Sequence, residues 1–182
     1  MMLKRFIPMK LDFMNLEQKK RVIGIDPGFG RVGWGVIEKQ NGDWVYVDHG
    51  CIETDTKFEF IDRLVQIHEQ LTSIIEKYRP NYSGVEDLFF CNNVKTAIKV
   101  GQARGVILLT LKQAGLPIDE FTPLQVKQSL TGYGRAQKDQ IQKLVQIHLK
   151  MKEKITQDDA ADALAIALTC AYSLAYKEKS ME

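Results

Sequence analysis

The sequence predicts an α/β fold: one mixed five-stranded sheet with helices on both faces. Three observations carry this. Five short apolar runs are bounded by turn residues, the mark of strands. The first three are joined by turns too short for a crossover, so they pair antiparallel. The later two alternate with segments of helical apolar spacing, which implies parallel pairing.

The elements follow in order. Residues 1–20 have weak periodicity and read as a flexible extension. Val22-Ile23-Gly24-Ile25-Asp26 is an apolar strand that stops at the turn Asp26-Pro27-Gly28. A second strand runs over 32–38, and Asn41-Gly42 marks a hairpin into a third over 44–54. Ile61, Leu64, Val65, His68, Leu71, Ile75 and Tyr78 share one helical face, closed by Pro80. A fourth strand covers 82–86. A long helix over 93–114 follows, with Asn92 or Asn93 as its cap and Gly115 as its stop. A fifth strand covers 117–122, and short helices cover 124–130 and 138–149. An alanine-rich helix over 158–173 comes last. The organisation expected is an extension over 1–20, one domain over 21–175 and a tail over 176–182.

Composition narrows the function classes. The chain has 182 residues, 45% hydrophobic and 26% charged, the balance of an ordinary globular domain. No apolar run is long enough to span a membrane, and the N-terminus lacks the apolar stretch of a signal peptide. Three cysteines without a C-x-x-C pair argue for a reducing, cytoplasmic setting with neither disulfides nor structural zinc. The net charge of +2 hides a division. Residues 127–154 carry seven basic and two acidic groups, and the body outside this stretch and the extension is acidic. Such a stretch would meet phosphates.

Four acidic residues stand out. Asp26 ends the first strand and Glu86 the fourth, while Asp159 and Asp162 share a face at the start of the last helix. Gathered together they would repel and raise each other's pKa, and a divalent cation resolves that. Oxygen-only donors suit Mg²⁺ or Mn²⁺, and a pair of such ions serves phosphodiester cleavage. Each residue also has a plainer reading: Asp26 as a turn residue, Glu86 as a solvated strand end, the aspartates as caps. Asp158, one position round from Asp159, is expected to be the cap rather than a ligand.

Taken in order, the motifs resemble a family. Ile23-Gly24-Ile25-Asp26-Pro27-Gly28 with Gly33-x-Gly35-Val36-Ile37 is similar to the opening of RuvC-type Holliday-junction resolvases. Val85-Glu86-Asp87-Leu88-Phe89 with Gly101-Gln102-Ala103-Arg104-Gly105 resembles their second motif. Val126-Lys127-Gln128 and Asp159-Ala160-Ala161-Asp162-Ala163-Leu164-Ala165 resemble the third and fourth. The resemblance spans about residues 21–171 and implies an RNase H-like nuclease domain. It implies a homodimeric, Mg²⁺-dependent endonuclease with two ions per subunit, Mn²⁺ substituting, held by Asp26, Glu86, Asp159 and Asp162. Asp26 would bridge both ions. It further implies symmetric paired nicks across four-way junction DNA in recombination and repair, ligatable ends, and cooperation with the RuvA–RuvB branch-migration complex. The departures are the extra N-terminal residues and the doubled acid Asp158-Asp159.

Several residues are expected to touch DNA. Lys127 and Lys138 resemble the family's basic residues near the scissile strand, and Arg135 lies in the same basic stretch. Phe89 and, less strongly, Tyr133 are candidates to stack on an unpaired base. Gly132 and Gly134 would free the neighbouring loop to close. On the long helix, Gly101, Ala103 and Gly105 would let a partner helix approach, or would pack within the chain. Rival readings are a junction-binding protein that does not cut, an actin-like ATPase and an enzyme for RNA–DNA hybrids. The carboxylates argue against the first and the chain's length without a repeat against the second. The Gln102–Gly105 and Val126–Gln128 motifs argue against the third.

Overall fold

The structure is a computed structural model and describes residues 20–87 and 94–180. Strands β1 (Arg21–Asp26), β2 (Arg31–Gln40) and β3 (Asp43–Glu53) precede α1 (Phe60–Tyr78). Then come β4 (Tyr82–Glu86), α2 (Val94–Gln113), β5 (Ile118–Phe121), α3 (Pro123–Thr131), α4 (Lys138–His148) and α5 (Asp158–Lys179). The sheet order is β3-β2-β1-β4-β5. β1, β2 and β3 are antiparallel neighbours, and β4 and β5 run parallel to β1 and β4 in turn. The expected mixed sheet is therefore present, with β1 at its centre.

Strand alternation divides the core in two. Ile23, Ile25, Val32, Val36 and Val85 face α1 and α2, where they pack with Ile67, Leu71, Ile107 and Leu111. Val22, Ile37 and Phe121 face the other way, toward α5, α3 and α4. α5 is buried nearly all round from Ala160 to Ala171, as expected of a helix sandwiched between a sheet and other helices. Leu164 and Leu168 have no exposed surface. Each such side chain contributes about 1.5–3 kcal/mol of hydrophobic stabilisation.

A row of glycines lets α5 lie so close. Gly24 of β1 is in register with Gly35 of β2 and Gly84 of β4. A Cβ on Gly24 would stand 2.1 Å from the Ala163 carbonyl oxygen. On Gly35 it would meet Leu164 at 2.7 Å, and on Gly84 Cys170 at 2.9 Å. All three open the same sheet face to the helix backbone, and the side chain two residues beyond Gly24 or Gly84 on that face is Asp26 or Glu86.

Several boundaries differ from the sequence reading. α5 continues to Lys179, because its polar last turns are still helix formers. α3 starts at Pro123, where the fixed φ suits the first helical position, behind a Thr122–Gln125 capping box. Asp158 is not the cap of α5: Gln157 takes the extended cap conformation and Asp158 is the first helical residue. Asn92 and Asn93, expected to cap α2, lie outside the described residues.

Candidate active site

The four carboxylates stand where the sheet's central strands end against the start of α5. Asp26 and Glu86 point to the α5 face from neighbouring parallel strands and share a side-chain hydrogen bond. Burial pushes the Asp26 carboxyl up to about 8, helped by the charges of Glu86, Asp162 and Asp159 and opposed by Lys138. Burial also raises Glu86, with Asp162 adding to it, while the Asp26 hydrogen bond, Lys138 and Lys127 pull it down.

The helix carboxylates are each turned to a cation. Asp159 lies 3.1 Å from Arg31 Nε, and Asp162 accepts a 2.9 Å hydrogen bond from Lys138 Nζ. Lys138 also lies 3.6 Å from Asp158. Asp158, one position round, accepts from Gln142 at 3.0 Å and is exposed. Among the described residues, no three acidic, histidine or cysteine side chains already converge as a cage for an ion. The donor set nonetheless fits a hard divalent cation. Every donor is a carboxylate oxygen, and burial together with the other three acids holds Asp26 against ionisation.

Two lysines flank the acids. A cavity of about 230 Å³ is lined by Glu86, Asp162, Lys127 and Lys138 with apolar walls from Val126 and Ile141. Arg135 and Tyr133 are exposed on the loop beyond α3, Tyr133 at 52%. Gly132 ends α3 in the left-handed conformation at φ 76°. Gly134 lies against Leu124, where a Cβ would stand 2.2 Å from Leu124 Cδ1. Phe89 lies outside the described residues. On α2, Ala103 is wholly buried against the sheet and Gly105 faces open space, so the two do not share a helix-docking face.

Two arginines had no role in the sequence reading. Arg104, inside a quoted motif, donates to the Glu86 carbonyl at 3.3 Å and pairs with Asp87 and Glu120. It thereby ties the end of β4 to β5. Arg31 pairs with Asp159 across a β2–α5 contact that no local pattern announces.

A mixed sheet ordered β3-β2-β1-β4-β5, with α5 laid across the face that carries Asp26 and Glu86, is the architecture of the RNase H-like nucleases. The profile of one family in that class, crossover junction endodeoxyribonuclease RuvC, matches residues 22–170. A RuvC protein of Petrotoga mobilis is 53% identical over 146 residues, covering 80% of this chain and 90% of the relative. One from Halothermothrix orenii is 53% identical over 147 residues, covering 81% and 89%. The chain belongs to the RuvC family. Among solved structures, T. thermophilus RuvC in complex with Holliday junction substrate superposes with a TM-score of 0.82. It is 33% identical, and the match covers 87% of this chain and 96% of that one. The yeast mitochondrial Holliday junction resolvase, 13% identical with a TM-score of 0.59, shares the fold.

Proposed function

We propose that the protein resolves Holliday junctions as a divalent-metal-dependent endonuclease, cutting two opposing strands symmetrically. The observation that carries this is the gathering of four acids: Asp26 and Glu86 at neighbouring strand ends, with Asp159 and Asp162 at the start of α5, where burial and the other three charges push the Asp26 carboxyl up to about 8. Its described hydrogen-bond partner is another acid, Glu86, so the pair is suited to a cation that would relieve both. Asp26 and Glu86 sit on rigid strands and hold fixed positions. Asp159 and Asp162 sit on the first turns of α5, where exchanging Arg31 and Lys138 for a metal needs only side-chain rotation. A bound Mg²⁺ or Mn²⁺, two per subunit, supplies Lewis acidity and a water nucleophile at neutral pH. Lys127 and Lys138, bordering the same cavity as Glu86 and Asp162, present positive charge to the phosphate being cut. Arg135 and the exposed Tyr133 ring extend the DNA surface, and Phe89, three residues after Glu86 in sequence, is the candidate to stack on an unpaired base.

A four-way junction has two-fold symmetry, and a homodimer would match it with one site per cut strand. Exposed apolar side chains on the outer faces of α1 and α2, Ile61, Val65, Ile98 and Leu109, support a second copy docking there. No described helix is long and apolar enough to cross a membrane, which is compatible with action on cytoplasmic DNA beside the RuvA–RuvB complex. A labelled four-way junction offered with Mg²⁺ should yield paired nicks at symmetric positions that ligase seals, and chelator should leave it whole. An intact junction in both Mg²⁺ and Mn²⁺ contradicts the proposal.

A further inference from the structure

We infer that Arg31 is a positioning residue of the acid site: it is the displaceable counter-cation of Asp159, held until a divalent ion takes that carboxylate. The inference rests on the metal-site reading above. Arg31 opens β2 on the α5 face, two residues before Gly33. Its Nε lies 3.1 Å from Asp159 Oδ2 and 3.5 Å from Glu53 Oε1. Glu53 is its direct cross-strand partner on β3. The guanidinium thus stands between two carboxylates, one belonging to the acid cluster and one outside it.

The backbone beneath is fixed. The Asp159 main chain rests on Gly33, where a Cβ would come within 2.0 Å of the carbonyl oxygen. Asp159 can therefore change partner by side-chain rotation while α5 stays in place. The Arg31 side chain is 51% exposed and that of Asp159 33%, so water screens the pair and it is readily exchanged. A divalent ion coordinated also by Asp26 competes well against it, and Glu53 receives the released guanidinium. Lys138 holds Asp162 from the cavity side, whereas Arg31 holds Asp159 from the opposite flank, over β2 and β3. A cation in that place opposes metal binding, so its removal acts in the direction contrary to loss of a structural prop.

The test is Mn²⁺ titrated into metal-free protein, with free Mn²⁺ read by electron paramagnetic resonance. Arg31→Gln should tighten Mn²⁺ binding by about three- to tenfold, and Arg31→Lys, which keeps the charge, should stay within about twofold of wild type. Glu53→Gln should weaken Mn²⁺ about twofold in the wild-type background and change nothing in the Arg31→Gln background, because its effect passes through Arg31. Arg31→Gln binding that is unchanged or weaker, while Asp26→Asn loses at least about tenfold, overturns the counter-cation role and leaves the metal site standing. Asp26→Asn binding Mn²⁺ like wild type overturns the metal-site reading and this inference with it.

Discussion

Gly33 of β2 bears directly on the main chain of Asp159: a Cβ at Gly33 would stand 2.0 Å from the Asp159 carbonyl oxygen. The same strand-to-helix closeness recurs at Gly24, where the Ala163 carbonyl is the obstacle. The acid site is therefore set by how deeply α5 sinks onto the sheet. Gly33→Ala and Gly24→Ala must lift the helix, since neither obstacle is a flexible side chain. Each should destabilise the fold by about 1–3 kcal/mol, seen as a lower urea midpoint at unchanged slope. Each should also lose junction cutting beyond what the unfolded fraction explains.

The charge state of Asp26 makes stability depend on pH. Its carboxyl rises from the ordinary 3.8 to about 8 in the folded chain. At pH values between these, the unfolded chain has released the proton and the folded one keeps it. This contribution is whole below the unfolded value and is lost as pH rises through the folded one. Asp26→Asn should accordingly be more stable than wild type in chelator at pH 8.5, by several kcal/mol, with the gap closing toward pH 4. Urea unfolding across that range measures it.

Metal binding should carry the same proton. Binding to a site whose key donor is protonated near neutrality releases that proton. Mg²⁺ affinity should climb by up to about tenfold per pH unit below the Asp26 value and flatten above it. Calorimetry in buffers of different ionisation enthalpy should report up to one proton released per binding event at pH 7.

Lys138 pulls both Asp26 and Glu86 downward and bonds Asp162. Lys138→Met should move the midpoint of that pH dependence upward and weaken junction binding in a salt-sensitive way. An unchanged midpoint would mean that Lys138 does not act on the acid cluster.

Much of this architecture was legible in the sequence. Strand order and direction follow from short turns before residue 61 and helical connections after it, which are local features. The four acids were legible because each ends or begins an element, so their positions in space follow from topology. Other relations were hidden because they depend on register and on close approach between distant segments. Gly24, Gly35 and Gly84 read singly as weak strand residues, and only their alignment turns them into the seat of α5. The pairing of Arg31 with Asp159 joins residues far apart in the chain and leaves no periodic trace. Asp158 illustrates a smaller limit: an acid at a helix start fits both the cap and the first helical position, and the backbone angles of Gln157 decide.

The most direct test of the account sets Asp26→Asn against wild type on one labelled four-way junction. Binding is followed by gel shift, and cutting is followed in Mg²⁺ at pH 8. The account predicts that Asp26→Asn binds the junction at least as well as wild type and makes no nicks, while wild type makes paired nicks in opposing strands. Cutting by Asp26→Asn at the wild-type rate would contradict it.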